Sequence, residues 1–137
     1  MQFSTEILIN APIDKVWRIV SDVDKYPTWK SGVTKVEGHA VLGSTIKLFS
    51  EVSPSRAFSL KVSELVPNKK LTLSSGMPFG LFSGIRTYTL EETSNGVKFN
   101  MIEIYSGFMS SIITKSIPNL NPSFKKFAEG LKSLSEK

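Results

Sequence analysis

One amphipathic helix near the start of the chain most limits the fold, because its apolar face needs a partner elsewhere in the sequence. Pro12 opens this helix, where its missing N–H would have no intrahelical partner, and Asp14 places an anion in the first turn. Apolar residues follow at the spacing of one helix face: Ile13, Val16, Trp17 and Val20. The stripe predicts that the helix lies on an apolar surface, which the strands that follow it can supply.

Most of the remaining sequence alternates as strands do. The alternating runs predict strands at 3–9, 33–37, 45–52, 56–66, 71–73, 85–91 and 97–105. Asn95-Gly96 lies between the last two runs and indicates a β-hairpin. If Asn95 and Gly96 are the two turn residues, Arg86 pairs with Tyr105, whereas a looser loop pairs Arg86 with Glu103. In both registers the long side chain of Arg86 can reach Glu103.

The last part of the chain predicts a long helix. Asn121 is a suitable N-cap, and Pro122 fits the first turn. An apolar stripe follows, made of Phe124, Phe127, Leu131 and Leu134. A shorter helical segment is predicted at 108–117, ended or kinked by Pro118. One antiparallel sheet with a helix near each end of the chain is an α+β arrangement.

Length and composition are those of one globular domain, which we expect to span residues 1–137. Hydrophobic residues make up 40% of the chain and charged residues 21%, unlike a disordered protein. No apolar run approaches the ~20 residues that cross a bilayer, and the N-terminus lacks the layout of a signal peptide. The chain has no cysteine, which excludes disulfides and fits a reducing compartment. We therefore expect a cytoplasmic protein.

The distribution of charge and the numbers of histidine and cysteine residues limit which partners and metals the protein can bind. The net charge is +5, but the seventeen basic residues are scattered, with Lys69-Lys70 and Lys125-Lys126 as the longest runs. Nucleic-acid binders usually cluster their positive charge, so we expect no nucleic-acid partner. The only histidine, His39, is expected on the surface, and one histidine without cysteine leaves no zinc-type spacing. We expect neither a metal nor a cofactor.

Several stretches carry a family resemblance. They are Ile9, Ala11, Pro12, Val16 and Trp17; Asp22, Tyr26, Pro27 and Trp29; Gly43; Tyr88 with Leu90; Gly96; Glu103-x-Tyr105-x-Gly107; and the helix at 127–136. Together they resemble the START/polyketide-cyclase (SRPBCC) superfamily, which includes the birch-pollen allergen. The resemblance spans nearly the whole chain. Lys30-Ser31 replaces the Asn-Pro that often follows the tryptophan, so no subfamily is assigned.

The resemblance implies a helix-grip fold: a curved antiparallel sheet of six to seven strands around the long C-terminal helix. Between them such proteins hold a small hydrophobic or amphipathic ligand, here of lipid, polyketide-like or isoprenoid-like type. The residues expected on the cavity wall are those of the concave face, the 76–84 loop and the C-terminal helix. The polar candidates are Arg86, Tyr88, Glu103 and Tyr105, and the apolar candidates are Phe58, Leu60, Phe79, Phe82, Phe99, Met101, Phe124 and Phe127.

Arg86 and Glu103 are unusual on a face that is otherwise apolar. Burying one unpaired charge costs several kcal/mol, so the two should pair or meet a polar ligand. They are either a polar anchor for a ligand or a solvated structural salt bridge at the open end of the sheet. Trp17 and Trp29 also resemble ligand platforms, but their positions favour packing.

The segment 76–84 combines glycines with four large apolar side chains. Three interpretations are open: a lid over the cavity mouth, a tip that makes weak, transient contact with a membrane, or a loop packed on Phe108 and Met109. The glycines match neither the G-x-G-x-x-G pattern of dinucleotide-binding loops nor the Walker spacing of nucleotide-binding phosphate loops.

Three functions fit these features. Binding of a hydrophobic ligand is favoured. A cyclase, aromatase or dehydratase that uses the polar cavity groups for acid–base chemistry is the first alternative, although no residue is assigned a catalytic role. An interaction module with a filled core is the second.

Overall fold

A computed structural model describes residues 1–137 and shows one seven-stranded antiparallel sheet. Its strands are β1 (Gln2–Ile9), β2 (Val33–Glu37), β3 (Thr45–Ser50), β4 (Ser53–Val66), β5 (Lys70–Met77), β6 (Phe82–Thr93) and β7 (Gly96–Ser106). They lie in the order β1-β7-β6-β5-β4-β3-β2, so each pair of neighbours except β1 and β7 is consecutive in the chain. The prediction of six to seven antiparallel strands is confirmed.

Three α-helices and two short 3-10 segments complete the chain. The helices are α1 (Ile13–Ser21), α2 (Ser110–Ile113) and α3 (Asn121–Ser135), and the 3-10 segments are Val23–Thr28 and Thr114–Ser116. The predicted 108–117 helical segment therefore corresponds to α2 and the 3-10 turn after it. None of the helices combines the length and the apolar character that crossing a bilayer would need.

The β1 edge of the sheet and the distant turn between β3 and β4 both contact α3, as expected for a sheet that curls around this helix. At the β1 edge, Ser4 N donates to Asn121 Oδ1 at 3.1 Å, and Lys132 Nζ donates to Leu8 O at 3.0 Å. In the turn between β3 and β4, Glu51 Oε2 lies 2.6 Å from Lys126 Nζ. The fold is thus the α+β helix-grip arrangement that the sequence resemblance implies.

The helices bury the stripes that their spacing predicts. Val16 and Val20 of α1 are fully buried, as are Phe124, Phe127 and Leu131 of α3. They join one hydrophobic cluster of 22 buried residues with the concave face of the sheet. Trp29 packs on Phe127 with ring centroids 5.1 Å apart, a packing role as expected.

Of the two hairpin registers that the sequence allows, the one that pairs Arg86 with Glu103 is confirmed, whereas the Asn95-Gly96 turn and the prediction that Asn121 caps α3 are wrong. The β6–β7 turn is Ser94-Asn95, since Thr93 pairs with Gly96, and this register places Arg86 opposite Glu103. Gly96 has φ 135°, and a Cβ there would lie 2.7 Å from Ile9 O, so its glycine allows β1 to approach closely. Asn121 does not cap α3, because its side chain accepts the hydrogen bond from Ser4.

Candidate ligand-binding site

A cavity of about 770 Å³ lies between the concave face of the sheet and α3. Its wall is mostly apolar, since 16 of its 28 lining residues are hydrophobic. The volume lies within the range of roughly 300–1,000 Å³ that is typical of small-molecule sites. The buried part of the wall includes Leu48, Leu60, Tyr88, Met101, Phe124 and Phe127. The core is therefore not filled, which removes the basis of the interaction-module alternative.

The cavity opens at one end of the sheet. Its exposed lining residues include Val52 and Arg56 near the β3–β4 turn, Met77 at the end of β5, and Ile112 in α2. These segments surround the mouth, whereas the β4–β5 and β6–β7 turns lie at the opposite end of the sheet. The site is therefore a pocket whose rim combines apolar side chains with the cation of Arg56.

Arg86 and Glu103 form an ion pair inside this cavity. Arg86 Nη2 donates to Glu103 Oε2 at 2.9 Å, and the two side chains are only 15% and 4% exposed. The guanidinium carbon also lies 5.1 Å from the centre of the Phe124 ring. Burial by itself would lower the pKa of Arg86, but the adjacent Glu103 and Tyr88 together outweigh burial and raise it above the usual value. Arg86 is therefore a permanent cation, and the solvated version of this salt bridge is wrong.

Two polar atoms of the wall lack hydrogen-bond partners. Arg86 Nε and Ser50 Oγ are both buried, and neither has a partner. Leaving a buried donor unsatisfied costs about 1–3 kcal/mol, more when the group is charged. Arg86 thus keeps a donor beyond the one that Glu103 accepts, and it does so in an otherwise mainly apolar cavity.

Two tyrosines add hydroxyl groups next to this pair. Burial raises the pKa of Tyr88, while the nearby Arg86 acts in the opposite direction. Burial, followed by the charge of Glu103, raises the pKa of Tyr105. Tyr105 also stacks on Phe82, with ring centroids 5.8 Å apart. Because both phenols stay protonated at neutral pH, each can donate a hydrogen bond.

The structure brings ten of the twelve predicted site residues to the cavity wall. They are Phe58, Leu60, Phe82, Arg86, Tyr88, Met101, Glu103, Tyr105, Phe124 and Phe127.

Phe79 and Phe99 are placed elsewhere, so the expectation that they line the cavity is wrong. Phe99 is on the concave face, but it is fully buried where Phe127 and Tyr88 fill the space, at centroid distances of 6.1 and 6.2 Å. Phe79 has φ 60° at the tip of its loop and points away from the core.

The wall also contains residues that the sequence analysis did not single out. Arg56 was detectable, since it continues the alternation of Phe58 and Leu60 along β4. Ser50 was also detectable, since it continues the alternation of Ile46 and Leu48 to the end of β3, whereas Ser31 and residues 117–118 lie outside helices and strands and had no periodic signal.

Segment 76–84 is the end of a β-hairpin, since β5 ends at Met77, β6 begins at Phe82, and only residues 78–81 form the loop. Its backbone packs on the 108–109 segment, since Gly80 O accepts from Phe108 N at 3.2 Å and Leu81 O accepts from Met109 N at 2.8 Å. Met77 and Phe82 line the cavity, whereas Phe79 projects outward.

His39 is exposed, with Nδ1 3.6 Å from Asp24 Oδ2. No group of three or more histidine, aspartate and glutamate side chains is arranged to hold a metal ion.

With this geometry established, similarity to known proteins decides the family. The family described as "Polyketide cyclase / dehydrase and lipid transport" matches residues 1–136. The chain belongs to this family. Nearly the full length of the chain is covered, so the superfamily resemblance of the sequence is confirmed. No curated protein matches this family member by sequence.

Solved structures with the same fold include three that this family member matches over almost its whole length. Protein CV1439 from Chromobacterium violaceum is 21% identical, with a TM-score of 0.73 and coverage of 99% of this chain and 97% of that one. The Aha1 dimer from Colwellia psychrerythraea is 22% identical, with a TM-score of 0.73 and coverage of 99% and 96%. The di-domain ARO/CYC StfQ from the steffimycin biosynthetic pathway is 11% identical, with a TM-score of 0.72 and coverage of 98% and 50%. These similarities establish the fold.

Proposed function

We propose that this protein binds one small amphipathic molecule in the cavity, with the polar end of the molecule at Arg86. The observation that carries the proposal is the buried Nε of Arg86, which has no partner within the protein. This nitrogen has almost no accessible surface, so a ligand oxygen reaches it once the guanidinium turns toward the cavity, and the hydrogen bond then removes the cost of leaving the donor unpaired.

The rest of the wall sets the character of the ligand. The apolar side chains around the pair favour a hydrophobic body, and the Tyr88 and Tyr105 hydroxyls favour acceptors at the same end. Arg86 is a cation and both phenols are donors, so a carboxylate, carbonyl or hydroxyl oxygen fits best. Lipids, polyketides and isoprenoids supply this combination. The absence of cysteine supports a cytoplasmic site of action.

Mass spectrometry of the native protein, with solvent extraction of bound molecules, tests the proposal. We expect a stoichiometric apolar adduct with an oxygen-containing end. It should be lost in the Arg86→Met/Glu103→Leu double variant, which removes the anchor without leaving one charge buried alone. Arg18→Ala is the matched control, because it removes an exposed arginine outside the cavity.

Two results would contradict the proposal. An adduct that persists in the folded double variant would exclude the polar anchor while keeping a hydrophobic carrier. A protein that carries no adduct and also fails to take up a fluorescent fatty acid would exclude ligand binding of this class.

Catalysis of the cyclase or dehydratase type is a second candidate, because Glu103, Tyr88 and Tyr105 converge on one cavity. Their side chains offer one carboxylate and two hydroxyls that could move protons on a folded substrate. StfQ, which shares the fold, is described as an ARO/CYC protein. Turnover of a polyketide-like substrate that disappears in Glu103→Gln, while binding of that substrate persists, would favour the enzyme over the carrier.

A further inference from the structure

Two phenylalanines stand almost fully exposed beside the mouth of the cavity. Phe79 is 92% exposed and Phe108 is 87% exposed. Met77 and Ile112, which line the mouth, are also exposed. One exposed apolar side chain needs no explanation, but a group of four from two adjacent segments is typical of an interaction surface. We call residues 77–82 and 107–112 together the aromatic tip.

Backbone contacts hold the two halves of the aromatic tip together. Phe108 N and Met109 N donate to the carbonyls of Gly80 and Leu81 at 3.2 and 2.8 Å. A Cβ at Gly107, where φ is 108°, would lie 2.7 Å from Leu81 O, so only glycine allows this approach. The two phenylalanines therefore project from one built unit and not from two independent loops.

The charge around the aromatic tip is positive. Segments 76–84 and 106–118 contain no acidic residue, and their one charged side chain is Lys115, which is exposed. Arg56 adds a second cation at the mouth of the cavity. Glu51, in the turn between β3 and β4, is paired with Lys126 at 2.6 Å. The mouth thus presents aromatic and basic side chains without a free carboxylate beside them.

We propose that the aromatic tip docks on a lipid bilayer that contains anionic lipids. Aromatic side chains insert at the boundary between headgroups and acyl chains, and lysine or arginine beside them binds anionic headgroups. A second copy of the chain fits this surface less well, because Lys115 and Arg56 lie outside the tip but near the mouth on both copies, and these cations would repel one another. Docking would turn the cavity mouth toward the lipid, where a hydrophobic ligand could enter without crossing water. The docking goes beyond ligand binding and is testable without knowing the ligand.

Flotation with vesicles of phosphatidylcholine and phosphatidylglycerol, mixed at about 3:1, tests the docking. We expect the protein to float with these vesicles and to bind pure phosphatidylcholine vesicles more weakly. Phe79→Ser/Phe108→Ser should lower the partition coefficient by at least about tenfold, because both side chains lose contact with the acyl chains. Lys115→Glu should lower it by about tenfold on the anionic vesicles alone.

Matched controls lie at the opposite end of the sheet. Val41→Ser/Leu42→Ser removes two exposed apolar side chains from the β2–β3 loop, and Lys69→Glu makes the same charge change in the β4–β5 turn. Both should float as the unmodified protein does. Because Phe79 and Phe108 lie outside the cavity wall, their variant should keep any bound adduct, so docking and ligand binding are judged separately.

Three outcomes would overturn the docking proposal. The first is failure of the unmodified protein to float with anionic vesicles. The second is an equal loss of flotation in the control variants, which would indicate adsorption through overall charge. The third is sedimentation showing a dimer that Phe79→Ser/Phe108→Ser converts to a monomer, without vesicle binding, which would assign the tip to contact between two copies.

Discussion

Different nitrogen atoms of Arg86 serve the ion pair with Glu103 and the proposed ligand contact. Its Nη2 is used in the ion pair with Glu103, and its Nε has no partner. The pair explains how two charges are tolerated between β6 and β7, since neither is buried alone. A purely structural salt bridge would gain nothing from an unpaired Nε, so this donor favours a role in binding a ligand. The ion pair and the proposed anchor are therefore different parts of one side chain.

The first prediction concerns the energetic coupling of this pair. Glu103→Ala should lower the free energy of unfolding by about 3–5 kcal/mol, because it leaves the Arg86 cation buried without its counter-ion. Arg86→Met/Glu103→Leu should lose much less, because apolar side chains of similar volume replace both charges. Urea denaturation of Arg86→Met, Glu103→Leu and the double variant measures the coupling, and Glu103→Ala measures the cost of the unpaired cation. A loss below about 1 kcal/mol in Glu103→Ala would show that water or a relaxed side chain compensates the charge.

At the scale of elements, α3 is held by contacts at both of its sides. The β1 edge bonds it through Asn121 and Lys132, and the turn between β3 and β4 bonds it through Lys126. The segment that follows the 3-10 turn Val23–Thr28 packs against the middle of α3, where Gly130 faces the main chain of Lys30. The position of α3 decides the width of the cavity, because Phe124 and Phe127 form part of the cavity wall.

The second prediction tests this close approach. In an ordinary helix interior, replacing glycine by alanine stabilises a protein by roughly 0.5–1 kcal/mol. A Cβ at Gly130 would lie 2.1 Å from Lys30 O, so α3 would have to move away from the segment around Trp29. Gly130→Ala should therefore destabilise the protein by about 1–3 kcal/mol in thermal or urea unfolding.

Ser133→Ala is the control, because Ser133 is an exposed residue of the same helix. Its effect should stay within about 0.5 kcal/mol. Stabilisation by Gly130→Ala would mean that α3 and the Lys30 main chain are farther apart than described here.

At the scale of the whole molecule, the raised pKa values of the three tyrosines make the stability of the fold depend on pH. Burial raises the pKa of Tyr26, Tyr88 and Tyr105 above the usual value of about 10. The chain has no other tyrosine. Tyr26 also donates a hydrogen bond to Val20 O, which ties the 3-10 segment to α1. Ionisation of these phenols therefore opposes the folded state.

The third prediction is a loss of stability in alkaline solution. As the pH rises through about 10, the unfolded chain releases its tyrosine protons while the folded protein retains them. The folded state then binds more protons, so the free energy of unfolding falls with each further increase in pH. Absorbance titration of the native protein should show no phenol ionising near the usual pKa, followed by release that coincides with unfolding.

Tyr105→Phe is the control for this alkaline transition, since it removes one of the three phenols and should flatten the decline in stability above pH of about 10. A tyrosine that titrates at its usual pKa in the folded protein would contradict the burial described here.

The sequence by itself determined the elements and their inward faces. The stripe of α1, the stripe of α3 and the alternation of Arg86, Tyr88 and Leu90 depend on the fixed periods of helix and strand, which are local properties. Together with the family resemblance they predicted the helix-grip fold and ten of the cavity residues. Pairing across the predicted hairpin also places Arg86 within reach of Glu103.

Only the tertiary structure decided which inward residues line open space and which fill the core. Phe99 and Met101 have the same pattern on β7, yet Phe127 fills the space beside Phe99 whereas Met101 faces the cavity. The turn at Ser94-Asn95, the outward position of Phe79 and the unpaired Nε of Arg86 likewise depend on contacts between distant segments. Local periodicity fixes the direction of a side chain, but its neighbours across the fold decide whether it meets protein, cavity or solvent.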